Sequence, residues 1–417
     1  MSIDQHRIGR RPLLRSAATA AIAWTASSYS RILGANERVR LGLIGAGERG
    51  RGVMSLFQKT GIVDVVAVCD VYAEMIDRAK NIAPQAKGFG DHRKLLEMKE
   101  LDAALIGTPD HWHAVTAIDA LNAGKDVYVE KPLTLRIEEG PEIVKAARIN
   151  NRICQVGLQQ RSGPHYIEAK QKYIDSKLIG NITLVRTWWH GNGYHLRRAP
   201  ETLKTLPSNL DWARFLGPVK WREWDPQQFW NWRAYLDFGG GQVTDLFTHW
   251  VDVVHMFMGR EIPTSGVAAG GVYNYKDGRT APDTINVLLE YGGDYTVTFE
   301  ATLAPGITGE GIEFCGTQGR LYIDRGRYEW RKVDPNRRWG SPEPPPEVVR
   351  AQSVPGTDSL TLEHVKNFLD CVKTRKRPNC DVLAGHRSAQ ASHLGNISYV
   401  EKRRLNFDPV REEILPL

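Results

Sequence analysis

The run VRLGLIGAGERG, residues 39–50, restricts the fold more than any other stretch of the chain. An apolar strand pattern ends in Gly45-Ala46-Gly47-Glu48-Arg49-Gly50, and a helical pattern, GVMSLFQK, follows at once. Each glycine of this GxGxxG string meets a physical need. Gly45 allows the tight turn, Gly47 lets backbone approach a pyrophosphate, and Gly50 lets the helix pack close to the strand. The helix N-terminus then offers unpaired N–H groups and a positive dipole end to phosphate. The next apolar run, VDVVAVCD, closes on Asp70, twenty residues after Gly50. That is the spacing of a carboxylate that accepts ribose hydroxyls. Such an acid repels a 2′-phosphate, so the expected cofactor is NAD rather than NADP.

Alternation of strand and helix continues through LDAALIGTP, KDVYVEKP and ICQVGLQQ, with helical stretches between them. This is the pattern of a doubly wound α/β domain. Ligands bind at the carboxyl ends of such strands, which places two further segments beside the cofactor. One holds Thr108, Pro109, Asp110, His111, Trp112 and His113; the other holds Glu130, Lys131 and Pro132. Gln159, at the end of the last run, joins the expected cofactor contacts. Neighbours at a strand end point to opposite sides, which argues against a Glu130–Lys131 surface pair and leaves the lysine for chemistry.

A chain of 417 residues has room for a second domain. From about residue 158 the texture changes to β-branched, alternating runs with Gly-rich turns. In YTVTFEAT one face takes Tyr295, Val297 and Phe299, and the other takes Thr296, Thr298 and Glu300. A sheet of this kind lays one face on helices and keeps the other open to a partner. GGGQVTDLFTHWVDVVHMFMG, residues 239–259, reads as a helix. Its broad apolar arc runs through Leu246, Phe247, Trp250 and Val254, and its polar arc carries Thr244, Asp245, Thr248, His249 and Asp252. Alone, that polar arc is an ordinary solvated face. Asp245 and His249, at i and i+4, stack on one side of it. Eight of the twelve tryptophans fall between Trp188 and Trp250. In a loop-rich region with His190, His195 and Arg233, they either pack a loop layer or meet the C–H faces of sugar rings.

The formal charge of +7 is unevenly placed, because Arg7, Arg10, Arg11, Arg15 and Arg31 stand against Asp4 alone in residues 1–35. The remainder is near neutral and carries no nucleic-acid motif, so no nucleic-acid partner is expected. GRRPLLRSAATAAIAWTASSYS sets paired arginines before a short alanine-rich apolar run, the pattern of a twin-arginine export signal over residues 1–36. That run is too short to span a membrane, and the expected destination is the periplasm; a basic tail on a cytoplasmic protein is the alternative. The five cysteines form no CxxC pair and read as structural thiols, and no spacing suggests a metal site.

Taken together these segments resemble the Gfo/Idh/MocA family (glucose–fructose oxidoreductase, inositol dehydrogenase and MocA-like proteins). The resemblance rests on GxGxxG with Asp70, TPDHWH ending at His113, the Glu130-Lys131-Pro132 tripeptide, the GGG…DxxxHxxD helix and EFCGTQGRLYID. It implies a Rossmann domain over 37–157 and an α+β domain over 158–417 with an open-faced, mostly antiparallel sheet, the latter a surface for homo-oligomers. It also implies oxidation of a hydroxyl on a sugar, polyol or sugar derivative. The family's catalytic lysine maps to Lys131, its aspartate–histidine pair to Asp245 and His249, and a supporting acid to Asp252.

In that chemistry His249, with an ordinary pKa near 6.5, accepts the hydroxyl proton. Asp245 is expected to orient its imidazole, and Lys131 to stabilise developing alkoxide charge. Trp189, His190 and Arg233 join these three as expected substrate contacts. Two other readings stay open. One is an NAD-dependent glycoside hydrolase working by transient oxidation, elimination, hydration and reduction, with Tyr194, His190 or His195 as the extra base. The other is a sugar-binding protein without catalysis.

Overall fold

The computed structural model describes residues 38–416 except 335, 339 and 351–356, so the expected export segment lies outside the described residues. Strands β1 (Val39–Ile44), β2 (Val63–Cys69), β3 (Lys87–Phe89), β4 (Ala103–Ile106), β5 (Asp126–Val129) and β6 (Cys154–Val156) form a parallel sheet. Their order, β3-β2-β1-β4-β5-β6, reverses between β1 and β4, and that reversal opens the crevice in which such sheets take ligands. β3 is a three-residue edge strand, KGF, too short and too glycine-bearing to leave a periodic signal.

Helices α1 (Glu48–Lys59), α2 (Ala73–Lys80), α3 (His113–Asn122) and α4 (Glu139–Ile149) cross over between these strands. Alternate strand residues pack in opposite directions. Leu41 and Leu43 meet Val53 and Phe57 on one face, while Ile44, Ala104 and Ile106 meet Ala117 and Leu121 on the other. Burial on both faces explains the continuous apolar runs.

The second sheet has ten strands in the order β14-β13-β12-β11-β7-β10-β9-β8-β15-β16. Here β7 is Ile182–His190, β8 Ser265–Gly271, β9 Thr284–Tyr291, β10 Tyr295–Thr302, β11 Gly309–Gly316, β12 Gly319–Ile323, β13 Arg327–Lys332, β14 Glu347–Arg350, β15 Leu405–Asp408 and β16 Glu413–Ile414. The β7–β10 pair is parallel and every other pairing in this sheet is antiparallel. Helix α5 (Thr248–Met258) packs on one face, where Phe247 stacks on Phe299 and Phe257 on Phe314. Arg186, Asn286, Leu288, Thr298 and Glu300 line a shallow groove on the open face.

Two closing helices tie the sheets together. In α6 (Thr357–Thr374), Val365, Phe368 and Val372 return to the first sheet's core, with Phe368 edge-on to Phe57. In α7 (Val382–Glu401), Val382 and Ala389 belong to the first core and Ala391 and Leu394 to the second. The chain segment 191–238 leaves the second sheet and lies over the nucleotide edge of the first. Leu210, Trp212, Phe215 and Phe238 form a small core there with Tyr72, and Asp211 N–H donates to Val71 O at 2.9 Å. Among the described residues no helix is long and apolar enough to cross a membrane.

Candidate active site

The GxGxxG string folds as its spacing requires. Gly45 has φ +88° and follows the end of β1. A Cβ on Gly50 would lie 2.1 Å from Gly45 O, so only glycine lets α1 come this near the strand. No side chain caps the start of α1 at Gly47, which leaves its first N–H groups facing the crevice for phosphate. Asp70 accepts hydrogen bonds from Ala46 N at 2.7 Å and Tyr72 N at 3.0 Å. Burial outweighs those bonds and pushes its carboxyl up to about 6. An uncapped helix start, a glycine cradle and an acid on the ribose side fit a dinucleotide.

The neighbouring strand ends are locked to this loop. Arg49 Nε donates to Glu130 Oε1 at 2.8 Å. The His113 ring nitrogens lie 2.6 Å from Pro132 O and 3.0 Å from Thr108 O, so one imidazole pins both expected segments. Glu130 therefore pairs backward to the glycine loop, and Lys131 points the other way, as the strand alternation implies.

A cavity of about 850 Å³ runs from the glycine loop to α5. Gly45, Gly47, Glu48, Arg49, Asp70, Thr108, Pro109, His113, Glu130, Lys131 and Gln159 line it from the nucleotide side, and Trp189, Arg233, Asp245 and His249 from the other. Ala46 and Gly50 act from behind this wall, through Asp70 and through helix packing. His190 does not line the cavity, contrary to expectation. It follows Trp189 on β7, and successive residues of a strand face opposite ways; Trp189 takes the cavity side, with its ring 5.7 Å from His249.

At the meeting point, Lys131 Nζ donates to Asp245 Oδ1 at 2.5 Å and to Asp245 O at 2.8 Å. The second oxygen of Asp245 lies 3.0 Å from His195 Nε2, and Arg233 Nε stands 3.6 Å from the first. Burial works against ionisation of Asp245. Lys131, Arg233 and the His195 bond overcome it and hold the carboxyl well below its usual range. Thus Asp245 does not orient His249, as the i, i+4 stacking suggested. The turn Val243–Phe247 that precedes α5 is π-helical, and this wider turn takes Asp245 off the regular α-helical stack. His249 is instead fixed by Gln160, whose Oε1 lies 3.0 Å from Nδ1. With Nδ1 donating, Nε2 carries the lone pair. Burial first, then the charges of Lys131 and Arg325, push this imidazole well below its ordinary pKa, so it stands neutral.

The polar arc of the helix is buried rather than wet. Thr248 Oγ1 donates to Ser392 Oγ of α7 at 2.9 Å. Asp252 accepts from Arg161 Nε at 2.9 Å and from Ser388 Oγ at 2.9 Å. Asp110 also faces the cavity. Burial, opposed by Lys131 and reinforced by Asp245, pushes its carboxyl up to about 8. Asp110 lies in a segment the sequence singles out, but nothing in its spacing marks it apart from its neighbours. Of the three candidate extra bases, Tyr194 lines the cavity and the two histidines do not. His190 faces away, His195 bonds Asp245 outside the cavity lining, and Tyr194 turns its hydroxyl 3.4 Å from Glu48 Oε1.

Residues 39–158 match the model described as an oxidoreductase family with an NAD-binding Rossmann fold, and residues 216–322 match the GFO/IDH/MocA C-terminal domain. Inositol 2-dehydrogenase of Salmonella agona (strain SL483) is 32% identical over 166 residues, 39% of this chain and 48% of that protein. Alpha-N-acetylgalactosaminidase of Shewanella oneidensis is 36% identical over 129 residues, 29% of this chain and 28% of that protein. The chain thus matches less than half the length of these curated relatives. A levoglucosan dehydrogenase solved with NADH and levoglucosan superimposes with a TM-score of 0.69 at 17% identity, over 89% of this chain and 99% of that one. An oxidoreductase domain protein from Kribbella flavida gives 0.71 at 19% identity, over 91% and 100%. With both family domains in one chain, in sequence order, this protein belongs to the Gfo/Idh/MocA family and carries its NAD-binding Rossmann domain.

Proposed function

We propose that the protein oxidises a hydroxyl of a sugar, polyol or sugar derivative, with Lys131, Asp245 and His249 as its catalytic groups. One observation carries this reading: a lysine from the nucleotide domain meets an aspartate of the second domain at the wall of a cavity that His249 also lines. Bound NAD supplies the hydride acceptor. Lys131 holds the reacting oxygen and stabilises the negative charge it develops. Asp245, fixed as an anion, keeps the ammonium group in place. His249, neutral and held through Nδ1, takes the hydroxyl proton at Nε2. Trp189 offers an aromatic face to sugar C–H groups, and Arg233, whose guanidinium lies 4.1 Å over the Trp232 ring, offers donors to hydroxyls.

A second reading, the redox-mechanism glycosidase, draws support from Asp110. A carboxyl that stays protonated near neutral pH is a proton source for a departing glycosidic oxygen. Against it, two of the three bases considered from sequence, His190 and His195, stand outside the cavity lining, and the third, Tyr194, lines it with its hydroxyl turned toward Glu48. Free sugars, polyols and aryl glycosides offered with and without added NAD separate the two. Steady NADH formation supports the dehydrogenase, aglycone release without net NADH supports the glycosidase, and neither product rejects both. The same proposal takes the open face of the ten-stranded sheet as a homo-oligomer surface, which a monomeric mass by light scattering would rule out. Export of the chain is tested by cell fractionation.

A further inference from the structure

The phosphate end of the cofactor crevice carries an electrostatic conflict. Glu48 is the first residue of α1, beside the N–H groups that await the pyrophosphate, so its carboxylate adds negative charge where a dianion must lie. The second domain answers it. Arg197 Nη2 donates to Glu48 Oε2 at 2.6 Å, and the hydrogen bond from Arg197 holds the Glu48 carboxyl below its usual range. The guanidinium also lies 4.2 Å over the Tyr194 ring. Arg197, Tyr194 and Asn192 line the same cavity as Gly45 and Gly47.

This segment is anchored on both sides of the arginine. Asn192 Oδ1 accepts from Tyr194 N at 3.0 Å, and His195 bonds Asp245. Arg279 Nη2 donates to His195 O at 2.9 Å, Gln227 Nε2 donates to Arg197 O at 2.7 Å, and Ala199 N donates to Gln227 Oε1 at 2.9 Å. The guanidinium is therefore presented to the crevice by a backbone tied down before any ligand arrives.

We infer that Arg197 of the second domain is a cofactor-binding residue that grips the NAD pyrophosphate opposite the glycine loop, neutralising Glu48 and the phosphates together. Guanidinium suits this task because its planar fork bonds two oxygens at once. The ligand group it recognises is a diphosphate, so its contribution belongs to NAD and ADP and is absent for adenosine.

The test is binding, independent of any substrate. Titration calorimetry on the full chain, freed of dinucleotide, compares NAD, ADP and adenosine for the parent, R197Q and R197K. The expected result for R197Q is about a tenfold or greater loss for NAD and ADP, with adenosine changed by less than about twofold. R197K, which keeps the charge and loses the fork, falls between. Unchanged NAD affinity in R197Q overturns the assignment. So does a loss for adenosine equal to that for NAD, which would mean a damaged fold. Where thermal melting shows R197Q unstable, R197K alone decides by the same comparison.

Discussion

Two carboxylates, a half-buried Asp70 and a buried Asp245, face one cavity from opposite domains, and their surroundings drive them in opposite directions. Asp70, on the nucleotide edge, meets backbone N–H groups and the charge of Arg51, so burial prevails and its pKa rises to about 6. Asp245, at the head of the second-domain helix, is surrounded by Lys131, Arg233 and His195 and stays ionised well below the usual range. The difference lies in the partners. An acid satisfied by backbone keeps capacity for ligand hydroxyls, whereas an acid saturated by cations is a fixed anion that orients others.

The hardest way to break the comparison is to take the cation from Asp245. Lys131→Ala is expected to lower turnover by about 10²–10⁴ while NAD remains bound, since Asp70 and the glycine loop are untouched. Asp245 then loses its first counter-charge and its pKa climbs toward that of Asp70. His249→Ala is expected to fall in the same range for want of a proton acceptor. Pre-steady-state NADH formation with the identified substrate checks both; unaltered turnover in either variant rejects the catalytic assignment.

Removing the other partner of Asp245 sharpens the point. His195→Leu deletes a hydrogen bond to a charged group, worth roughly 1.5–3 kcal/mol, or about 10–100-fold. The loss is expected in kcat, because His195 touches the carboxylate and not the cavity. A matching loss of NAD affinity would instead mark His195 as a support of the whole crevice.

On the Asp70 side, pH separates the two acids. The carboxylate of Asp70 is lost as pH falls through about 6, and NAD affinity measured by calorimetry is expected to fall with it. Because its folded pKa lies above the unfolded value, the native state binds the extra proton, so ligand-free stability rises as pH falls through that window. Asp245 has the opposite sign. Its folded pKa is depressed, so its contribution is present above the ordinary carboxylate value and is lost only in stronger acid. Asp70→Ser is expected to abolish the step near pH 6 and to admit NADP, since the charge that repels a 2′-phosphate is gone.

The same contrast explains what could be read from the chain. The nucleotide edge is built from local devices: a turn, a helix start and strand ends whose side-chain directions alternate. Each leaves its mark within a few neighbouring residues. The second-domain wall is assembled from afar. His195 and Asp245 are 50 residues apart, Gln160 and His249 are 89 apart, and Arg161 and Asp252 are 91 apart. Helical spacing singles out Asp245 and His249 but not these partners, and so pairs them with each other. Taken alone, the polar arc of α5 has the spacing of a wet face, because the serines of α7 that cover it lie more than 130 positions onward. On β7 alternation says that Trp189 and His190 face opposite ways, but only the packed sheet decides which one faces the cavity.

The tryptophan-rich stretch gives the smallest expected effect and a direct probe of that wall. Composition treats Trp189 and Trp221 alike, yet Trp189 lies between Arg325 and His249 on the cavity, while Trp221 is 68% exposed. Trp189→Ala is expected to raise the sugar KM several-fold, about 1 kcal/mol of lost aromatic contact. Trp221→Ala is expected to leave kcat/KM within about twofold and stability within about 0.5 kcal/mol, as for an ordinary surface site. Initial rates across sugar concentration measure both. An equal rise in KM for the two variants would mean that sugar also binds outside the crevice, and the sharp division between a cofactor edge and a single substrate wall would fail.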